Sequence, residues 1–289
     1  MLRLLQQYQE PGIAEQIDFD KFYLYSIITH STAIKGSTVT EVEAQLLFDE
    51  GITSSKRTMV EQMMNLDLKD AYDYGRKWIM QHDPITIEWL VILAGKVMAR
   101  TGCEYHTGGG DFSSAKEDLR KLNVTADIGG RSYMSHLKVP AKLTAFCEEL
   151  NKRRQAINAS DIASVYALSF WSHFELVSIH PWADGNGRTC RLLMNLLQWE
   201  FGMLLTKVLK EDRAEYIQAL IDAMEQEYIN LFLDCMARHH CQHLASDIDQ
   251  YTQTVMERVV DKAIFGREFG HLEAHGGNKN RTYSKRVNL

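Results

Sequence analysis

At 289 residues, with 45% apolar and 24% charged positions, the chain has ordinary globular composition and lacks the charge-rich, apolar-poor signature of disorder. A net charge of −6 and a sequence pI near 6.0 leave no overall basic field to draw in nucleic acid, so none is expected as a partner. No uninterrupted apolar run approaches the ~20 residues needed to span a bilayer, and the N-terminal stretch Met1 to Glu10 turns polar too early for a signal peptide.

Five cysteines (103, 147, 190, 235 and 241), odd in number and widely spaced, read as reduced thiols, which points to a cytoplasmic protein. Only 4 prolines interrupt the chain, which suits helices better than strands. Apolar residues at helical spacing predict a helix over 17–34, followed by a polar turn. Thr40, ahead of Glu41 and Glu43, opens a short helix that Gly51 ends. Residues 57–81 form a longer amphipathic helix whose apolar side is Met59, Met63, Leu66, Ala71, Tyr74 and Trp78. Asp83-Pro84 starts the next, running to about Arg100.

Residues 101–139 change character. Glycines cluster here, helical periodicity fades, and 122–125 and 131–133 flank a Gly-Gly turn, which predicts a small β-hairpin. Helices resume over 143–150, 161–178, 187–201, 212–224 and 228–239, with one more beyond His243. A polar tail, 276–289, is made basic by Lys279, Arg281, Lys285 and Arg286 and reads as a solvated terminus. The expectation is an all-α protein with one minor hairpin: an N-terminal helical region (1–83), a core domain (84–240), and a C-terminal helix with its tail (241–289).

Residues 180–191 carry the chemistry. Pro181 disfavours helical geometry at His180, so the incoming helix should end there and leave the imidazole facing a loop. Gly185 and Gly187 let amide N–H groups turn inward, and the next helix adds its unpaired N–H groups and positive dipole end. Arg188 and Arg191 in that first turn oppose the dipole, each at a cost of ~0.3–1 kcal/mol, and so call for a bound anion. Spaced i, i+3, they could grip neighbouring phosphates with forked hydrogen bonds. Asp184 beside a phosphate requires a cation between them, which implies Mg²⁺. His180 can take a proton from an attacking hydroxyl near neutral pH.

The run His180-Pro181-Trp182-Ala183-Asp184-Gly185-Asn186-Gly187-Arg188-Thr189-Cys190-Arg191 closely resembles the signature of the Fic family, with Trp182 in place of phenylalanine. His173 and Phe174 before it, and the stretch Glu215 to Leu220 after it, extend the likeness over about 84–240. The resemblance implies a Fic-type helical bundle with a hairpin flap. It also implies transfer of AMP from ATP to a Ser, Thr or Tyr hydroxyl of a protein target, with release of pyrophosphate. It makes His180 the base, Asp184 the Mg²⁺ ligand, Gly185, Asn186 and Gly187 the phosphate cradle, and Arg188 and Arg191 the clamps. The flap would fall at roughly 123–133 and align the target by strand addition. Transfer of another nucleotide or phosphate moiety, the reverse reaction, and non-catalytic nucleotide sensing stay open, as does a homodimer.

Many Fic proteins carry an inhibitory helix with the pattern Ser/Thr-x-x-x-Glu-Gly/Asn. Residues 31–36 resemble it, with Lys35 at the position of the glutamate. A lysine cannot accept a hydrogen bond from Arg191, so restraint through this segment is expected to be weak or absent. Cys235, His239 and His243 lie on one helical stripe, but three ligands along a straight helix span too far to share one metal, and no zinc site is expected.

Overall fold

The computed structural model describes residues 1–9, 19–116, 118–125, 130 and 132–273. Among the described residues ten α-helices follow one another: α1 (Leu2–Gln9), α2 (Phe19–Ala33), α3 (Glu41–Glu50), α4 (Met59–Ile79), α5 (Ile87–Val97), α6 (Val139–Ala156), α7 (Ile162–Ile179), α8 (Asn186–Glu200), α9 (Arg213–Glu225) and α10 (Asn230–Glu273). Between α5 and α6 lies one antiparallel pair, β1 (Glu104–Tyr105) and β2 (Phe112–Ser113). Residues 1–243 form one compact unit and 244–289 a second, of which only the helical course of α10 is described. The basic tail over 276–289 lies outside the described residues.

Local chemistry explains most boundaries. Thr40 caps α3 in a reciprocal capping box with Glu43, and Gly51 closes it at φ 69°. Thr58 and Glu61 repeat the box at α4. The helix expected from Pro84 starts three residues later, because the Thr86 hydroxyl accepts from the Trp89 N–H and fixes the first turn there. The two helices expected between 228 and 259 are a single α10; neither Gly nor Pro stands between 230 and 265 to break it.

The regular strand pair is β1–β2, where Tyr105 stacks on Phe112 at 4.9 Å between ring centroids, and the hairpin expected around 122–133 is described only in part. There, among the described residues, pairing is limited to a Thr125–Ser132 bridge and a Tyr133 N–H to Val124 carbonyl bond of 3.0 Å. Residues 126–129 and 131 of the expected flap lie outside the described set.

The core is built around α8, which packs against α2, α4, α5 and α7. Leu192, Leu193, Met194, Leu196 and Leu197 are fully buried, each worth ~1.5–3 kcal/mol of apolar burial. A Cβ at Gly75 would stand 2.5 Å from the Leu196 side chain, so glycine there sets how closely α4 approaches. Two buried amides of α8 reach across the core: Asn195 Nδ2 donates to the Tyr72 hydroxyl, and Gln198 donates to Ser169 and Thr206. By length and composition α7 could cross a membrane, yet most of it is buried inside the protein. This packing brings the C-terminal ends of α2 and α5 to the N-terminal end of α8, where residues 180–191 lie.

Candidate functional site

The Ile179–Asn186 connection opens a cavity of about 430 Å³. His180 ends α7 in the left-handed region, φ 52° and ψ 63°, because the following proline bars it from continuing the helix. Gly185 turns the chain into α8 at φ 82°, and a Cβ there would also press on the Met98 side chain at 2.9 Å. The first α8 N–H bonded back along the chain is that of Thr189, to the Gly185 carbonyl at 2.9 Å. The N–H groups of Asn186, Gly187 and Arg188 thus form the open end of the helix, and all three residues line the cavity.

The expected site residues all line the cavity, and their side chains take different directions. Asn186 is buried, and its side chain clasps the loop itself, accepting from the Trp182 N–H at 3.1 Å and donating to the Trp182 carbonyl at 2.8 Å. Its amide side chain is therefore a loop brace, and its backbone N–H is left for an anion. Gly187 leaves room for Arg191, whose Nη1 would lie 3.1 Å from a Cβ. The two arginines are not parallel open forks. Arg188 runs to the end of α5, toward the Val97 carbonyl at 3.5 Å and the Met98 sulfur at 2.9 Å, with Asp184 at 3.9 Å. Arg191 runs to the end of α2: Nε donates to Ser31 Oγ and Nη2 to the Ser31 carbonyl, both at 2.9 Å, while Nη1 donates to the Tyr216 hydroxyl at 3.3 Å. One helix end separates them, because each finds its own carbonyl-rich helix C-terminus.

Asp184 is one-third exposed and receives the Gly185 N–H at 2.6 Å and Lys35 Nζ at 3.1 Å. Burial pushes its carboxyl up, but the Gly185 N–H and the Lys35 and Arg188 charges outweigh it and hold the acid below its ordinary value. An ionised carboxylate facing a cavity rich in N–H donors and guanidinium groups is a donor set that fits Mg²⁺ together with phosphate oxygens. Lys35, expected only to be unable to hold Arg191, instead sits on this carboxylate.

Several residues escape sequence reasoning. The Arg120 side chain is buried and donates to three carbonyls, of His180 (2.7 Å), Leu122 (2.7 Å) and Met134 (2.6 Å), while its N–H donates to the Pro181 carbonyl. It ties the start of the loop to both arms of the 122–134 segment. Nothing marks it in the sequence beyond being one of two arginines in a glycine-rich stretch. Tyr133 stacks on His180. Tyr216 connects Arg191 to His173 Nε2 at 2.9 Å, and burial with the nearby Arg191 charge pushes the His173 imidazole down to about 3. Beyond them the cavity wall is apolar, with Val177, Ile217, Leu220, Ile221 and Met224.

The His/Cys stripe of α10 also finds partners the linear chain hid. Glu215 of α9 reaches Cys235 and His239, with ligand atoms within 4.8 Å of one another. Arg238 donates to the same carboxylate at 2.6 Å, and His243 turns away to Asp212, so the stripe is joined by polar contacts to α9 and the residue before it.

Residues 84–198 match the family described as Fic/DOC family. A protein adenylyltransferase Fic of Nematostella vectensis is 27% identical over 229 residues, covering 76% of this chain and 48% of that protein. The one of Drosophila erecta is 26% identical over 213 residues, covering 72% and 39%. The chain thus spans less than half the length of these relatives. Among solved structures, a Fic domain containing signaling protein of Bacteroides thetaiotaomicron superposes with a TM-score of 0.70 at 18% identity, over 85% of this chain and 95% of that one. Fic-1 of C. elegans superposes with a TM-score of 0.64 at 20% identity, over 86% and 69%. These likenesses establish the fold as that of a Fic domain.

Proposed function

Taking residues 84–198 as a Fic/DOC domain, we propose that the chain is a protein adenylyltransferase, moving AMP from ATP to a Ser, Thr or Tyr hydroxyl of a protein. One observation carries the reading: a single cavity gathers His180, the open N-terminal end of α8, both arginines and Asp184 at one end, and an apolar wall at the other. The polar end suits a polyphosphate and the apolar wall suits a purine ring. The chain spans less than half of its adenylyltransferase relatives, and the reading rests on the site as well as on them.

In this reading the target hydroxyl attacks the α-phosphorus, its proton passes to His180, and the bond to pyrophosphate breaks. The α8 N–H groups and the arginines bear the charge that builds on the phosphate oxygens. Asp184 would hold Mg²⁺, which when bound neutralises phosphate charge and steadies the leaving pyrophosphate. The 122–134 segment, pinned by Arg120 beside His180, is the place for the target backbone to dock. A reducing, cytoplasmic setting is assigned on the widely spaced thiols alone.

Incubation with ATP labelled at the α- or the γ-phosphate tests this, with His180→Ala as control. Protein labelled from α but not γ, and lost in the variant, is the expected result. Label from γ would make the reaction phosphate transfer, and binding without label would make the chain a nucleotide sensor.

A further inference from the structure

The cation nearest Asp184 is supplied by the chain itself. Lys35 Nζ lies 3.1 Å from Asp184 Oδ1 and lines the same cavity as Gly185 to Arg188 and Arg191. An ammonium has three N–H donors, and a single contact to the carboxylate leaves others for a second acceptor. An acceptor on the cavity side would be a phosphate oxygen, so the ammonium stands between carboxylate and polyphosphate as a metal ion would.

Ordinary surface ion pairs carry little meaning, and Lys35 is 47% exposed. Its backbone, however, is not an ordinary surface. The turn that carries it is fixed from both sides. Thr32 is fully buried and donates to Asn65, Asn65 donates to Ser37, and Arg213 donates to the Ile34 carbonyl at 3.0 Å. Lys35 N–H and Gly36 N–H bond back to Thr32 and Ala33, and Gly36 leaves the turn at φ 115°. The lysine is thus presented to the cavity by a rigid turn. Around the cavity stand four cations, Lys35, Arg188, Arg191 and Arg213, against two carboxylates, Asp184 and Glu225. That surplus favours a highly charged anion before any metal enters.

We propose that Lys35 is a phosphate-binding residue that stands in for the divalent cation in nucleotide binding, so that ATP binds this site without metal. The inference rests on the nucleotide reading above and deepens it.

The test is equilibrium binding of ATP to the full chain by calorimetry, in Mg²⁺ and in EDTA, for wild type, Lys35→Met and Lys35→Arg. Wild type and Lys35→Arg should hold ATP in EDTA within about threefold of their affinity in Mg²⁺, whereas Lys35→Met should lose about tenfold or more in EDTA and recover most of it with Mg²⁺. A thermal melt of each variant confirms the fold. Wild type losing as much in EDTA as Lys35→Met overturns the inference and leaves the nucleotide site standing. Absence of binding in both buffers, for every form, overturns the nucleotide reading itself and the inference with it.

Discussion

The Tyr133 ring lies nearly face to face on the His180 imidazole, 3.8 Å between centroids and 21° between planes. Tyr133 sits in the segment anchored by Arg120, so one buried arginine holds both the imidazole's backbone and the ring that covers it. Removing the ring takes away the packing on one face of the imidazole. Tyr133→Ala should lower transfer on the order of tenfold, with Tyr133→Phe near wild type, because the stack needs the ring and not the hydroxyl. The measurement is a pH–rate profile. An unchanged rate and profile in Tyr133→Ala would remove any positioning role.

Arg120→Ala leaves three half-buried carbonyls without their donor. The expected loss is about 3 kcal/mol, read from denaturant unfolding, with transfer activity falling alongside. Arg120→Lys should recover little of it, since a single ammonium cannot reproduce the planar fork.

Arg191→Lys keeps the charge but cannot keep the bonds to Ser31 Oγ, the Ser31 carbonyl and the Tyr216 hydroxyl together. Labelling by ATP should drop roughly a hundredfold while the melting temperature moves by only a few degrees. A large fall in stability with normal specific activity would mark the arginine as a fold residue instead.

Lys35→Glu would place a carboxylate against Asp184 and bring it to the cavity lined by Arg191. Self-labelling should fall about tenfold or more through lost phosphate affinity. Equal labelling in both forms would show that this turn does not act on the site.

His173 and His240 predict the acid limb of stability. Burial, first of all, pushes each imidazole down to about 3, with Arg191 adding to it at His173 and His243 and Lys207 at His240. Both stay neutral in the fold, while the unfolded chain takes up protons near its ordinary value of about 6.5. Their contribution is therefore fully present above about pH 6.5 and is lost as pH falls from there toward 3, at up to about 1.4 kcal/mol per unit for each group. Unfolding between pH 7 and 5 should show that slope, and His240→Leu should flatten it. A slope unaltered in His240→Leu would place the acid sensitivity elsewhere.

Much of the fold is legible because helix ends are local events. Thr40 and Glu43, Thr58 and Glu61, and Gly51 announce their caps within four residues. The loop after α7 is legible for the same reason, since Pro181 and Gly185 each act on the backbone at or next to their own position. The helix start at Ile87 and the unbroken α10 were not, because a proline or a polar pair is a weaker signal than a satisfied cap or an uninterrupted run.

By itself the sequence determined that residues 180–191 make a glycine turn into a helix N-terminus with a histidine at its edge, because glycine, proline and helix-end chemistry are written in adjacent positions. Which way the charged side chains reach was decided only in three dimensions. Arg188 and Arg191 part toward the ends of α5 and α2, Asn186 turns inward to brace Trp182, and Lys35 crosses from the turn after α2 to Asp184. Arg188, Arg191 and Lys35 meet partners distant in the chain, 149 positions away for Lys35, and no local propensity encodes such a meeting. It follows from the apolar faces of α2, α4, α5 and α7 burying the same central helix.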